Sequence, residues 1–196
     1  MKSKIGIIGK GNVGSALKRG LDRAGYDVKT VGRDSKGVRD VTKWADTLIL
    51  AVPFSAVDEV LGEMSKEGIM GKTLIDVTNI YTPEMQAKVG LKSGAEVLQS
   101  KASGAKVVKA FNMHFAKNMD SGRIGEHQIT LLVAGDDKDA RAKTLQMGHD
   151  IGFDTVDAGP LENARLLESL GNLNIKLGYS LGLGTGIGFK LVRAGA

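Results

Sequence analysis

Residues 4–21 read KIGIIGKGNVGSALKRGL, and this stretch decides the fold. Lys4 to Gly9 has the make-up of a short buried strand, because Ile5, Ile7 and Ile8 are β-branched and bounded by glycine. It runs directly into Gly9-Lys10-Gly11-Asn12-Val13-Gly14, a G-x-G-x-x-G, and Leu17, Leu21 and Ala24 then mark a helix. Each glycine answers a separate physical demand. Gly9 makes the tight strand-to-helix turn, Gly11 has no Cβ to keep a pyrophosphate from the backbone, and Gly14 lets helix and strand pack closely. The free N–H groups and positive dipole end of the helix then face the phosphates. Such a motif alone is weak. Placed between a strand and a helix, it has the context of a dinucleotide site.

The composition sets the outer limits. A chain of 196 residues, 42% of them hydrophobic, suits one domain or one domain with a small appendage. The net charge of +5 is spread without a run of like charges. Nucleic acid is therefore not the expected partner, and anionic small molecules suit the surface equally well. The absence of cysteine excludes disulfides and thiolate chemistry. No apolar leader stands at the start, and no apolar run approaches the roughly 18 residues of a membrane span. The expectation is a soluble, cytoplasmic protein.

Beyond the opening stretch, strand and helix alternate. Strands are expected at Tyr26 to Gly32, Thr47 to Val52, Lys72 to Val77, Lys106 to Ala110, Ile129 to Ala134 and Thr155 to Ala158. Arg33 to Lys43 reads as a polar link too short for a crossover helix. Ser55 reads as the N-cap of a helix through Val57, Val60, Leu61 and Met64. Ser93 to Lys101 and Asp137 to Ile151 read as further helices, and Leu161 to Leu181 as a long one. A glycine-rich tail follows. The pattern predicts an α/β fold, a Rossmann-type, doubly wound, mostly parallel sheet over residues 1–158. A short C-terminal helical segment, 159–196, follows it.

The second strand's end distinguishes the two nicotinamide dinucleotides. An acidic residue there accepts the ribose hydroxyls of NAD. Here Gly32 and Arg33 stand instead, a small residue making room for a 2′-phosphate and a guanidinium matching its charge. Lys10 and Lys36 add charge nearby. This favours NADP(H), while Asp34 keeps NAD open.

Four further stretches carry a resemblance. They are Ala51-Val52-Pro53-Phe54, Asp76-Val77-Thr78-Asn79, Val107-Val108-Lys109-Ala110-Phe111-Asn112, and the run from Asp157-Ala158-Gly159-Pro160 to Glu168. In this order, with the glycine motif and the tail Gly184 to Leu191, the chain resembles the deazaflavin-dependent NADP oxidoreductases, the NADPH:coenzyme F420 reductase-like proteins. It is also similar to the oxidoreductase domain of the six-transmembrane epithelial antigen metalloreductases. The resemblance implies hydride transfer between NADPH and coenzyme F420 or a flavin-like co-substrate, in a homodimer, with the segment 159–196 covering the nicotinamide and acceptor site and forming the dimer interface. It implies that Gly9 to Gly14 hold the pyrophosphate and that Gly32 and Arg33 hold the 2′-phosphate. Ala51, Val52, Pro53 and Phe54 would then line the ribose path, Asn79 would lie near the nicotinamide, and Ala110, Phe111 and Asn112 would sit beside the ring. The Lys109 to Asn112 variant is the commoner one in the metalloreductase domains.

Hydride transfer between rings needs positioning more than acid–base groups. No catalytic residue is assigned, and Asn79 and Asn112 are the candidates for positioning the ring. His114 reads as structural, with a place facing the nicotinamide as the alternative, because it follows Asn112; His127 and His149 read as surface, Trp44 as core, and Met113 and Met119 as gap-fillers. Glu162, Arg165 and Glu168, one helical turn apart, read as a solvated, ion-paired face. No metal site is indicated. A non-catalytic NADP(H)-binding module or redox sensor, and an NADPH-dependent flavin or ferric reductase, remain the alternatives.

Overall fold

The opening stretch enters the fold as β1 (Lys4–Ile8), the glycine turn and α1 (Asn12–Arg23). The structure, a computed structural model, describes residues 3–194. The chain continues through β2 (Asp27–Val31), α2 (Ser35–Trp44), β3 (Thr47–Leu50), α3 (Val57–Ser65) and β4 (Thr73–Asp76). Next come α4 (Pro83–Val89), α5 (Gly94–Lys101), β5 (Lys106–Lys109) and the one-turn α6 (Ala116–Met119). A hairpin of β6 (Arg123–Ile124) and β7 (His127–Gln128) leads to β8 (Thr130–Gly135), α7 (Lys138–Ile151), β9 (Asp154–Asp157) and α8 (Ala164–Ile175).

Seven strands form one sheet in the order β2-β1-β3-β4-β5-β8-β9. β1 to β5 are parallel, β8 is antiparallel to β5, and β9 is parallel to β8. The fold is thus the expected Rossmann-type α/β sheet. The connection into β8 passes through α6 and a hairpin rather than a crossover helix, which lets that strand reverse. The inner strands bury apolar residues on both faces because helices cover both. One core, with Leu48, Leu50, Leu74 and Val107, lies under α2, α3 and α5; the other, with Ile5, Ile7, Ile75 and Val108, lies under α1 and α7. The order reverses direction at β1, between β2 and β3, so a crevice opens at their carboxyl ends, where ligands of such sheets bind. No helix among the described residues is long and apolar enough to cross a membrane.

Three expectations need correction. Residues 33–43 are not an open link: α2 crosses there. Asp34 caps it by accepting the Gly37 N–H at 2.8 Å, and Val38, Val41 and Thr42 form its buried face. Ser55 is not a cap. Pro53 starts a 3₁₀ turn over Phe54–Ala56, and α3 begins behind it with Asp58 and Glu59 in its first turn, where they complement the helix dipole. The stretch from Leu161 to Leu181 is not one uniform helix but a 3₁₀ turn, α8, and a widened π turn over Lys176–Ser180.

Candidate functional site

The glycine turn has the geometry its residues demand. Gly9 has φ +127°, and a Cβ there would collide with the Ala51 carbonyl. A Cβ at Gly14 would run into the Gly9 carbonyl. Gly11 differs: nothing lies within 4 Å of where its Cβ would be. Close packing therefore explains the outer two glycines, and open space marks the middle one. Gly11 is also the N-cap of α1, whose first turn has neither a side-chain cap nor an acidic residue. Its leading N–H groups remain available to an anion.

At the end of β2, Gly32 is half-buried. Arg33 is exposed and has no hydrogen bond or ion pair among the described residues. Asp34 is engaged as the α2 cap. Lys36 points along α2 and pairs with Asp40, whose hydrogen bond raises the lysine's pKa. Lys10 is exposed, with its carbonyl accepting from Ser15 Oγ.

Past α1 lies a cavity of about 270 Å³. Asn12 and Val13 line one side, Val77 and Asn79 follow β4, and Asn112 to Ala116 follow β5. Gly171, Asn174 and Ile175 of α8 close it, with Tyr179 beyond. The two expected asparagines pair reciprocally. Asn79 Nδ2 donates to the Asn112 carbonyl at 2.7 Å, and Asn112 Nδ2 donates to Asn79 Oδ1 at 2.9 Å and to the Leu167 carbonyl at 2.9 Å. Gly171 is required here, since a Cβ would stand 2.7 Å from Asn79 Oδ1. Asn174 Nδ2 donates to the Met113 carbonyl at 2.9 Å, joining α8 to the same loop.

The remaining expected residues take other places. Ala110 and Phe111 are fully buried and do not line the cavity; the Phe111 ring packs edge-on to Phe153 at 5.8 Å. Phe111 has φ +63°, a left-handed conformation unusual for an aromatic residue, and it turns the chain from β5 into the cavity wall. Val52 is core, Pro53 is exposed, and Phe54 is half-buried, packed over Gly94 and away from this cavity. Ala51 lies beside the glycine turn.

Sequence reading missed a buried ionic cluster at the same sheet edge. Lys109 is fully buried, 2.9 Å from Asp76 Oδ2 and 2.8 Å from Glu168 Oε1, and it donates to the Thr78 carbonyl at 2.6 Å. Burial pulls its pKa down most strongly, but the two carboxylates together outweigh burial and hold it above the ordinary value. Glu168 also accepts from Gly94 N and Ala95 N at the start of α5. Its place is therefore not the solvated face that the one-turn spacing suggested. Arg165 does face outward, bridging to Glu96 at 2.6 Å and to Glu162 at 3.4 Å.

A second, polar cavity of about 360 Å³ adjoins the first, sharing Asn12, Phe115, Ala116 and Tyr179 and adding Ser15, Arg19, Lys117 and Thr185. The tail forms its outer wall. Asn118 Nδ2 donates to the Thr185 and Ile187 carbonyls, and Thr130 N donates to the Phe189 carbonyl.

Residues 4–46 match the family model described as NADP oxidoreductase, coenzyme F420-dependent. The F420-dependent NADP reductase of Methanothermobacter marburgensis is 31% identical over 149 residues, 67% of this chain and 64% of that one. Metalloreductase STEAP3 of Rattus norvegicus is 29% identical over 85% of this chain, which spans only 36% of that protein's length. A crystal structure described as an F420-dependent NADP-reductase of Arthrobacter sp. FB24 superposes with a TM-score of 0.86 at 27% identity, covering 97% of this chain and all of that one.

Proposed function

We propose that this chain, a relative of the coenzyme F420-dependent NADP oxidoreductases, is an NADP-dependent oxidoreductase that passes hydride between NADP(H) and a deazaflavin or flavin-like ring. The observation that carries this reading is the run from the open backbone at Gly11, past Asn12 and Val13, into the cavity walled by Asn79 and Asn112.

The residues suit the nucleotide. Gly11 leaves the space a pyrophosphate needs, and the uncapped head of α1 offers its N–H groups. Arg33 has no partner among the described residues and matches a 2′-phosphate, while the engagement of Asp34 as a helix cap argues against an NAD-type contact to the ribose. Bound NADPH supplies a hydride, and one proton balances its addition to the acceptor ring. The protein's own contribution is placement. Asn79 and Asn112 fix each other, and α8 is drawn down on them through Gly171 and Asn174, so that water is excluded from one side. The acceptor's polar parts would extend into the adjoining cavity with Arg19 and Lys117. Leu166 and Leu173 on the outer face of α8 are 68% and 48% exposed, which supports pairing with a second copy.

The metalloreductase likeness, which runs over 85% of the chain, favours a second reading in which the final acceptor is ferric iron reached through a flavin. Rapid-mixing oxidation of NADPH with the deazaflavin, flavin mononucleotide or a ferric chelate separates the two. The expected result is fast oxidation with the deazaflavin. Turnover confined to flavin with ferric chelate transfers the assignment to the second reading, and no NADPH binding at all removes both.

A further inference from the structure

The cavity wall between β5 and α6 contains polar atoms that the fold leaves without partners. Among the described residues, six buried side-chain nitrogen or oxygen atoms make no hydrogen bond, and three of them are Asn112 Oδ1 and both ring nitrogens of His114. Buried polar groups are nearly always satisfied, so a concentration at one loop calls for an explanation. Both residues line the 270 Å³ cavity. His114 is only 6% exposed and lies against Phe153, with ring centroids 5.0 Å apart. Burial pushes its imidazole pKa down to about 4, and the Thr130 backbone, which approaches the ring in a geometry short of a full hydrogen bond, pulls the other way. The ring is therefore neutral at pH 7, with one N–H to donate and one lone pair to accept. No group of three or more acidic or histidine side chains among the described residues could make it a metal ligand.

We propose that His114 is a binding residue of the cavity: together with Asn112 Oδ1 it receives the amide edge of a bound ring, where a carbonyl and an N–H lie side by side. This rests on the nucleotide reading above. The same edge chemistry belongs to the nicotinamide carboxamide and to the pyrimidine edge of a flavin-like acceptor. In either case the ring supplies what the empty fold lacks. All three atoms are shielded in the ligand-free fold, so a turn of the two side chains toward the cavity brings Asn112 Oδ1 to the ligand N–H and the imidazole N–H to the ligand carbonyl. The fold keeps a polar ring where a phenyl ring would pack against Phe153 with no unpaired atoms. That choice costs the ligand-free protein stability, which a ligand that uses the nitrogens returns.

The test compares His114→Phe, which keeps the ring and removes both nitrogens, with His114→Gln, which keeps a donor and an acceptor. Three quantities are measured: the melting temperature without ligand, the calorimetric affinity for NADP+ and its 3-acetylpyridine analogue, and the acceptor KM and kcat. His114→Phe should melt at or above the wild-type temperature and bind about tenfold more weakly, with His114→Gln recovering much of the loss. A weakened NADP+ affinity, with the wild type's preference over the acetyl analogue abolished, identifies the carboxamide as the partner. A raised acceptor KM with NADP+ affinity unchanged identifies the acceptor edge. His114→Phe with unchanged affinities and KM, whatever its melting temperature, makes His114 a core residue and overturns the assignment while leaving the nucleotide reading intact. A wild type that does not bind NADP+ overturns both.

Discussion

Arg33 and Gly11 show how much a single residue decides here. Arg33 lies two residues past β2 with no partner for its guanidinium among the described residues, and a charge-assisted contact to a phosphate contributes about 1.5–3 kcal/mol. Arg33→Ala should therefore weaken NADPH binding by about 10- to 100-fold and leave NADH, which lacks the 2′-phosphate, nearly unaffected. Titration with both nucleotides checks this, and equal losses would make Arg33 structural. Gly11 has φ −73°, ordinary for any residue, and open space where a Cβ would go. Gly11→Val should thus fold with an unchanged circular dichroism spectrum and lose NADPH binding, because the added side chain occupies the pyrophosphate's place. Gly9 and Gly14 offer no such clean test, since a side chain at either would strike the backbone.

At the scale of the element, α8 walls the cavity beside β4 and β5, and polar contacts hold it there along with the buried Ala164 and Leu167. Lys109 draws Glu168 of α8 and Asp76 of β4 together, and Glu168 also binds the first amides of α5. Asn174 and Asn172 donate from α8 to the carbonyls of Met113 and Ile80. Removing one member of a buried ionic group leaves the others uncompensated, at a cost of about 3–5 kcal/mol. Lys109→Met should show that loss in urea unfolding. Adding Glu168→Gln should restore part of it, because the second change removes one of the two stranded carboxylates. Additive losses in the double variant would mean that the three groups are not energetically coupled.

Over the whole molecule, acid should loosen this arrangement in two steps. Arg165 beside Glu96 holds the Glu96 carboxyl at about 2, below the ordinary 4.5, against burial and with help from Ser93. That stabilisation is complete above pH 4.5 and is lost as pH falls toward 2. His114 titrates near 4 in the fold and at 6.5 in the unfolded chain, so the unfolded chain takes up its proton first, and stability falls as pH drops from 6.5 toward 4. Urea midpoints measured across pH should fall from about 6.5 downward in the wild type. In His114→Phe they should stay level until about 4.5. Parallel curves for the two proteins would contradict the neutral buried imidazole. The tail belongs to the same scale. Phe189 and Leu191 hydrogen-bond to Thr130, and Arg193 pairs with Asp154 at 2.6 Å, so the end of the tail is fastened to the first residues of β8 and β9.

The amino-acid sequence by itself determined the opening strand-turn-helix, the parallel strands and the position of the nucleotide loop. These rest on local requirements: a positive φ at Gly9, close approach at Gly14, and strands apolar on both faces. Asn79 and Asn112 were expected near the ring through the family resemblance, and the structure sets both in one cavity wall, each three residues past a strand end. α2 was hidden because its cap, Asp34, and its small apolar face, Val38 and Val41, also fit a polar turn. The reversal of β8, the burial of Glu168 against Lys109 and the unpartnered ring of His114 were decided only by tertiary structure. Each depends on groups from separate elements meeting, and no spacing along the chain records whether a buried charge or imidazole will find a partner.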